Sequence, residues 1–161
     1  MSKITKISED YQELFDKVLT KTSLGFYGLD FKLGCYVKSP IGIKIIKSNP
    51  VVEFILNEEM KSPDRDRSGI ISVFIYETAF DKLTEVQKEL IIENTLSMIE
   101  YDTEKDKITI KNGFGVSEGM WVKHGDNIVN ALFALEHSIR QIDEEEKEAK
   151  KLKAEEKKKK H

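Results

Sequence analysis

The chain has 161 residues, 39% of them hydrophobic and 34% charged, with a formal net charge of −3. The length fits a single domain, the acidic balance excludes a chain-wide basic field for nucleic acid, and the lone Cys35 excludes an intramolecular disulfide. The opening "MSKITKISEDYQ" has no apolar run of signal-peptide length, and no run approaches the ~20 apolar residues of a membrane helix, so a cytoplasmic protein with no membrane partner is expected.

Residues up to Ile7 read as loose. Ser8, followed by Glu9 and Asp10, reads as a helix N-cap with acids at the positive end of the dipole. Tyr11, Leu14, Phe15, Val18 and Leu19 then form one apolar stripe at helical spacing, closed by Gly25 and Gly28. From Phe26 to Ile46 apolar and polar residues alternate around Gly34, Pro40 and Gly42, the texture of short strands or a hairpin. Val51 to Leu56 reads as a further strand and "EEMKSPDRDRSG" as a polar loop. "IISVFIY" is β-branched and aromatic on both faces, which predicts a central or well-covered strand.

Thr84 starts a helix predicted to run from Glu85 to about Glu100, with Gln87 completing a capping box. Leu90, Ile91, Leu96, Met98 and Ile99 occupy more than one side, so this helix is expected to be largely buried. "DTEKDK" reads as a turn and "ITI" as a short strand. "KNGFGVSEGMWVKHGD" carries four glycines and no clean period, the pattern of a long loop, and such loops are often functional. Phe114, Met120, Trp121, Lys123 and His124 lie in or beside it. Two roles are open there: Trp121 and Phe114 fold back into the core, or the loop presents these five residues to a partner.

Asp126 or Asn127 caps a last helix, in which Ile128, Leu132, Leu135, Ile139 and Ile142 step by four and three. That seam either packs on the sheet or pairs with a second copy as a homodimer through residues 128–142. Beyond it, "DEEEKEAKKLKAEEKKKKH" is nearly all Glu, Lys and Ala, with acid-first pairs four apart. It reads as a solvated helical extension. Lys157, Lys158, Lys159 and Lys160 could touch nucleic acid, although acids upstream alternate with lysines and cut the field.

No phosphate loop is present, since "GFGVSEG" lacks the Lys-Ser/Thr ending. No Gly-x-Ser-x-Gly elbow is present either. Cys35 reads as a small strand residue, and no cofactor is expected.

The order "SGIISVFIY", "FDKLTEVQKELIIENTLSMIEYD", "TEKDKITI" resembles the core of small zincin-type domains over about residues 69–110, and is most similar to the phage metallopeptidase family. There a Leu-Thr-x-x-Gln-Lys word leads into a helix bearing H-E-x-x-H, whose two His grip one zinc while the Glu polarises its water. In this chain the His positions fall at Asn94 and Met98 and the Glu position at Thr95. The helix has no His; His124, His137 and His161 lie elsewhere. The resemblance therefore implies a zincin-like scaffold without its metal or its reaction. The alternative is an ordinary capped helix of an unrelated fold.

The expected fold class is α+β: a small, mostly antiparallel sheet with an N-terminal helix, a central buried helix and a long C-terminal helix with a charged extension. Residues 1–142 form one domain and 143–161 a tail. The expected function is that of a non-catalytic, phage-type accessory protein, in the manner of T-even phage early proteins. It would bind and modulate a host protein, such as an ATP-dependent protease or a transcription component. Two alternatives are a nucleic-acid-associated protein and an unrecognised metal-dependent hydrolase.

Overall fold

The structure is a computed structural model, and it describes residues 3–47, 70–105, 107–111 and 116–159. The strand expected at Val51–Leu56, the polar loop after it, Phe114 and Lys160 lie outside the described residues.

The N-terminal residues are not loose. They form strand β1 (Ile4–Lys6), which pairs antiparallel with the next strand, Ile4 opposite Tyr36. Three residues are too few to show a period in sequence; the free edge of the neighbouring strand fixes them. Helix α1 (Glu9–Thr20) follows, with Ser8 Oγ accepting from Tyr11 N at 3.4 Å. Its stripe of Tyr11, Leu14, Phe15 and Val18 is buried. A 3-10 turn (Ser23–Phe26) closes it.

The main sheet comprises β1, β2 (Asp30–Tyr36), β3 (Ile43–Lys47) and β4 (Ile70–Ile75), in the order β1-β2-β4-β3. All six residues of β4 are buried, as its two apolar faces require. Its pairing with β3 is antiparallel but its pairing with β2 is parallel, so β2 and β3 flank β4 and do not form a hairpin with each other. Residues 37–42 therefore arch past the end of β4, where Tyr76 N donates to Gly42 O at 2.8 Å. Gly42 has φ of 82°, and a Cβ there would lie 2.8 Å from Leu135 Cδ2, so both backbone and space demand glycine.

A one-turn helix α2 (Glu77–Phe80) leads to α3 (Glu85–Leu96). The capping box is present: Gln87 N donates to Thr84 Oγ1 at 3.2 Å and Thr84 N to Gln87 Oε1 at 3.0 Å. Leu90, Ile91, Ile92 and Leu96 are buried on more than one side of α3. The helix stops at Leu96, four residues short of the expectation. Ser97 Oγ donates to Asn94 O at 2.5 Å, supplying a last-turn carbonyl with a partner. The chain then enters β5 (Ile99–Asp102), which pairs antiparallel with β6 (Lys107–Ile110) in a separate two-stranded sheet. The pairing takes Ile99 from the helical stripe into a strand, where it is buried opposite Ile110. Among the described residues three of the four strand pairings are antiparallel, so the α+β class and the mostly antiparallel sheet are as expected.

Residues 118–124 depart from expectation by forming helix α4 (Glu118–His124). A long helix α5 (Asp126–Lys159) follows. Ile128, Leu135, Ile139 and Ile142 are buried in this chain's own core and Leu132 is packed against it. A homodimer through 128–142 would have to use the outer face, where Phe133 is exposed, and not the seam itself. Ser138 Oγ donates to Ala79 O at 2.6 Å, tying α5 to α2 inside the core. Among the described residues Ser72 Oγ, in the middle of β4, is buried without a hydrogen-bond partner. No helix among them is long and apolar enough to cross a membrane.

Candidate functional site

Helix α4 is only seven residues long, so it cannot stand alone. Its sequence carries a full set of boundary signals: Ser117 before it, Glu118 in its first turn, Lys123 and His124 in its last, Gly125 after it. Ser117 Oγ accepts from Met120 N at 3.2 Å and lies 2.9 Å from Ser97 Oγ. Ser117 N donates to Asn94 Oδ1 at 3.3 Å. The start of α4 is thereby fixed to the end of α3. Its other end is held by Glu93, whose carboxylate accepts from Lys123 Nζ at 2.7 Å and His124 Nε2 at 2.6 Å. Burial by itself would push Glu93 upward, but the hydrogen bonds and charges of Lys123 and His124 outweigh it and hold the carboxyl below its ordinary range. Gly125 turns the chain from α4 into α5 with φ of 56° and ψ of −133°, a region in effect reserved for glycine.

Met120 is the apolar anchor of α4, at 4% exposure. The sequence pattern places it on a free loop; on the helix its position faces inward while its neighbours face out. Trp121 and Val122 do face out, at 50% and 80% exposure. The Trp121 ring therefore does not fold back to plug the core. Lys123 is exposed but engaged with Glu93, and His124 is half-buried in the same clamp, so neither belongs to a free loop.

A groove of about 770 Å³ runs between the end of α1, the end of α3 and α4. Leu24, Leu96, Ile99 and Met120 are buried residues along it, with half-buried Met98 and Val116 beside them. Lys21, Lys111, Glu118 and Lys123 stand among its polar lining residues. Lys111 is paired with Glu100 at 2.6 Å. The arrangement is an apolar floor with a mixed, mainly basic rim, next to an exposed indole on the same short helix. It can seat apolar side chains of another macromolecule and orient them with charged contacts at the edge.

The positions that the zincin resemblance aligns with ligands do not form a site. Asn94 is buried and engaged with Ser117, Thr95 Oγ1 donates back to Ile91 O at 2.9 Å, and Met98 lines the groove. Among the described residues no three His, Cys, Asp or Glu side chains are grouped to hold a metal ion. Lys157, Lys158 and Lys159 lie on the solvated end of α5, far along the chain from the groove. Sequence reasoning overlooked Glu93, Ser97 and Ser117, because the glycines around α4 masked its helical boundary signals and left these residues with no visible counterpart. No protein-family model, curated protein or solved structure matches this chain.

Proposed function

We propose that this chain is a non-catalytic accessory protein that binds another protein through the α4 surface and the adjoining groove, and modulates it. In the reading drawn from the phage-family resemblance, the partner is a host protein. The observation that carries the proposal is Trp121: a half-exposed indole on a helix clamped at both ends. Exposing apolar surface on a rigid element is unfavourable for a free chain and useful for a bound one, because little ordering entropy remains to be lost on contact. Tryptophan is also the residue type most enriched among binding hot spots. A role without metal chemistry is supported by Asn94 and Thr95, the positions that the resemblance aligns with a ligand and the catalytic Glu, whose side chains make hydrogen bonds that build the fold.

The test is affinity capture from bacterial lysate on the immobilised protein, identification of the partner, and measurement with the purified pair. Trp121→Ala should weaken the complex about 30-fold, the ~2 kcal/mol of a hot-spot residue. A Trp121→Ala, Val122→Ser variant that keeps the partner at unchanged affinity removes the α4 surface from the interface.

A further inference from the structure

The second half of α5 is a bare helix: every residue from Glu144 to Lys159 is exposed. In sequence, acids and lysines alternate there. In three dimensions they separate. At 100° per residue, Lys147, Lys150, Lys151, Lys157 and Lys158 fall within about one third of the circumference, with Ala154 in the same stripe. Glu155 and Glu148 border one edge of this stripe, about 40° and 60° round from Lys151, and Glu156 lies on the opposite side. Three of the four acids immediately upstream are occupied: Asp143 and Glu146 pair with Lys38 at 3.5 and 2.9 Å, and Glu145 reaches Lys82 at 3.7 Å. Among the described residues none of the five stripe lysines has a carboxylate within 4.0 Å.

The charge division follows the same line. From Lys147 onward eight lysines stand against three glutamates, +5, so the chain before it carries −8 of the total −3. Helical rise sets Lys158 about 16 Å beyond Lys147, roughly two Debye lengths at physiological salt. The distal stripe is therefore largely screened from the acidic domain, and the net charge of the whole molecule does not decide what the arm meets.

From these observations we infer that the lysine stripe of α5 is a sequence-independent binding site for the phosphate backbone of duplex DNA. The duplex offers a rigid array of about one charge per 1.7 Å, which matches a straight, rigid row of cations. After Phe133 the chain has no Phe, Tyr or Trp on which single-stranded bases could stack. After Gln141 it has no Arg, Asn or Gln to read base edges by paired hydrogen bonds. The far side of the helix offers only Leu152 as a large apolar residue, too little for insertion into a lipid surface. The lysines that matter are thus Lys147, Lys150, Lys151, Lys157 and Lys158, so only the first two of the terminal run of four take part.

The experiment is fluorescence anisotropy of a labelled 20-base-pair duplex with the full chain between 50 and 200 mM salt. Five contacts predict a log–log salt slope of about −4.5, a roughly 500-fold loss of affinity over that range. Replacing the five stripe lysines by Gln should flatten the slope to about −1 and weaken binding at 50 mM salt at least ~100-fold. Replacing five exposed lysines of the domain (Lys3, Lys6, Lys44, Lys47 and Lys105) by Gln makes the same change in net charge and should leave binding within about threefold. Absence of binding at 50 mM salt overturns the inference, as does equal loss in both variants. Sedimentation showing that the stripe variant loses self-association while keeping its DNA affinity would also overturn it, assigning the stripe to the acidic domain of a second copy. Trp121→Ala should leave the duplex affinity unchanged, which separates this site from the protein-binding surface.

Discussion

Removing Glu93 tests how α4 is held. The Lys123 side chain is 62% exposed, so solvent screens its pair with Glu93 to about 0.5 kcal/mol. The His124 and Glu93 side chains are only 23% and 18% exposed, and a hydrogen bond there with a charged partner contributes about 1.5 kcal/mol. Glu93→Ala should therefore cost about 2 kcal/mol, felt first as local opening of α4, whose population rises about 30-fold. Hydrogen exchange of the amides from Met120 to His124 measures that opening directly. Trp121 is the only tryptophan, so acrylamide quenching of its emission reports the same helix independently. Amides of β4 should keep their protection relative to global stability. Exchange in α4 within about threefold of wild type would refute the clamp, and so would equal acceleration in α4 and β4. A double-mutant cycle with His124→Ala should return a coupling of about 1 kcal/mol.

Lowering pH should open the same helix. Glu93 has a folded value below its unfolded one, so its stabilisation is complete above about pH 4.3 and is lost as pH falls through the lowered folded value. Trp121 emission should thus hold steady down to about pH 4.5 and change below it, and that step should be missing in Glu93→Ala. Thr84→Ala removes the capping bond from Gln87 N to Thr84 Oγ1, while the backbone N–H of residue 84 is retained, and should lower stability by about 1 kcal/mol in urea unfolding, with Thr84→Ser nearly neutral. Ser72→Ala deletes a buried hydroxyl that has no partner among the described residues, so it should raise stability by about 1 kcal/mol; a loss in urea unfolding would show that the hydroxyl is satisfied after all.

The helices with strong local signals were legible. Ser8 and Thr84 mark their caps because capping is a contact between neighbours in sequence, and the stripe of Tyr11 to Val18 faces inward as its spacing requires. β4 announced its burial through apolar residues on both faces. What could not be read was partnership at a distance. Nothing in the 26–46 region says that β2 will lie parallel to β4 with β3 on the other edge, since alternation fixes a face and not a neighbour. The α4 helix was missed because four glycines within sixteen residues outweighed Ser117 and Gly125 as boundaries, and its stability comes from Glu93, some thirty residues earlier. The lysine stripe was hidden for another reason: in one dimension Glu148, Glu155 and Glu156 interrupt it, and only helical projection sets them to one side of it.

The strand order also governs how the chain can be assembled. Among the described residues β3 has no sheet neighbour except β4, and β2 meets β4 across forty residues, Asp30 against Ile70. Three strands of the main sheet are thus synthesised before the one that joins them. A nascent chain still short of Ile70 must keep the apolar inner sides of β2 and β3 from pairing elsewhere. The keystone strand arrives after them, and until it does, the one ladder that the described strands of this sheet can close is the three-residue one between β1 and β2.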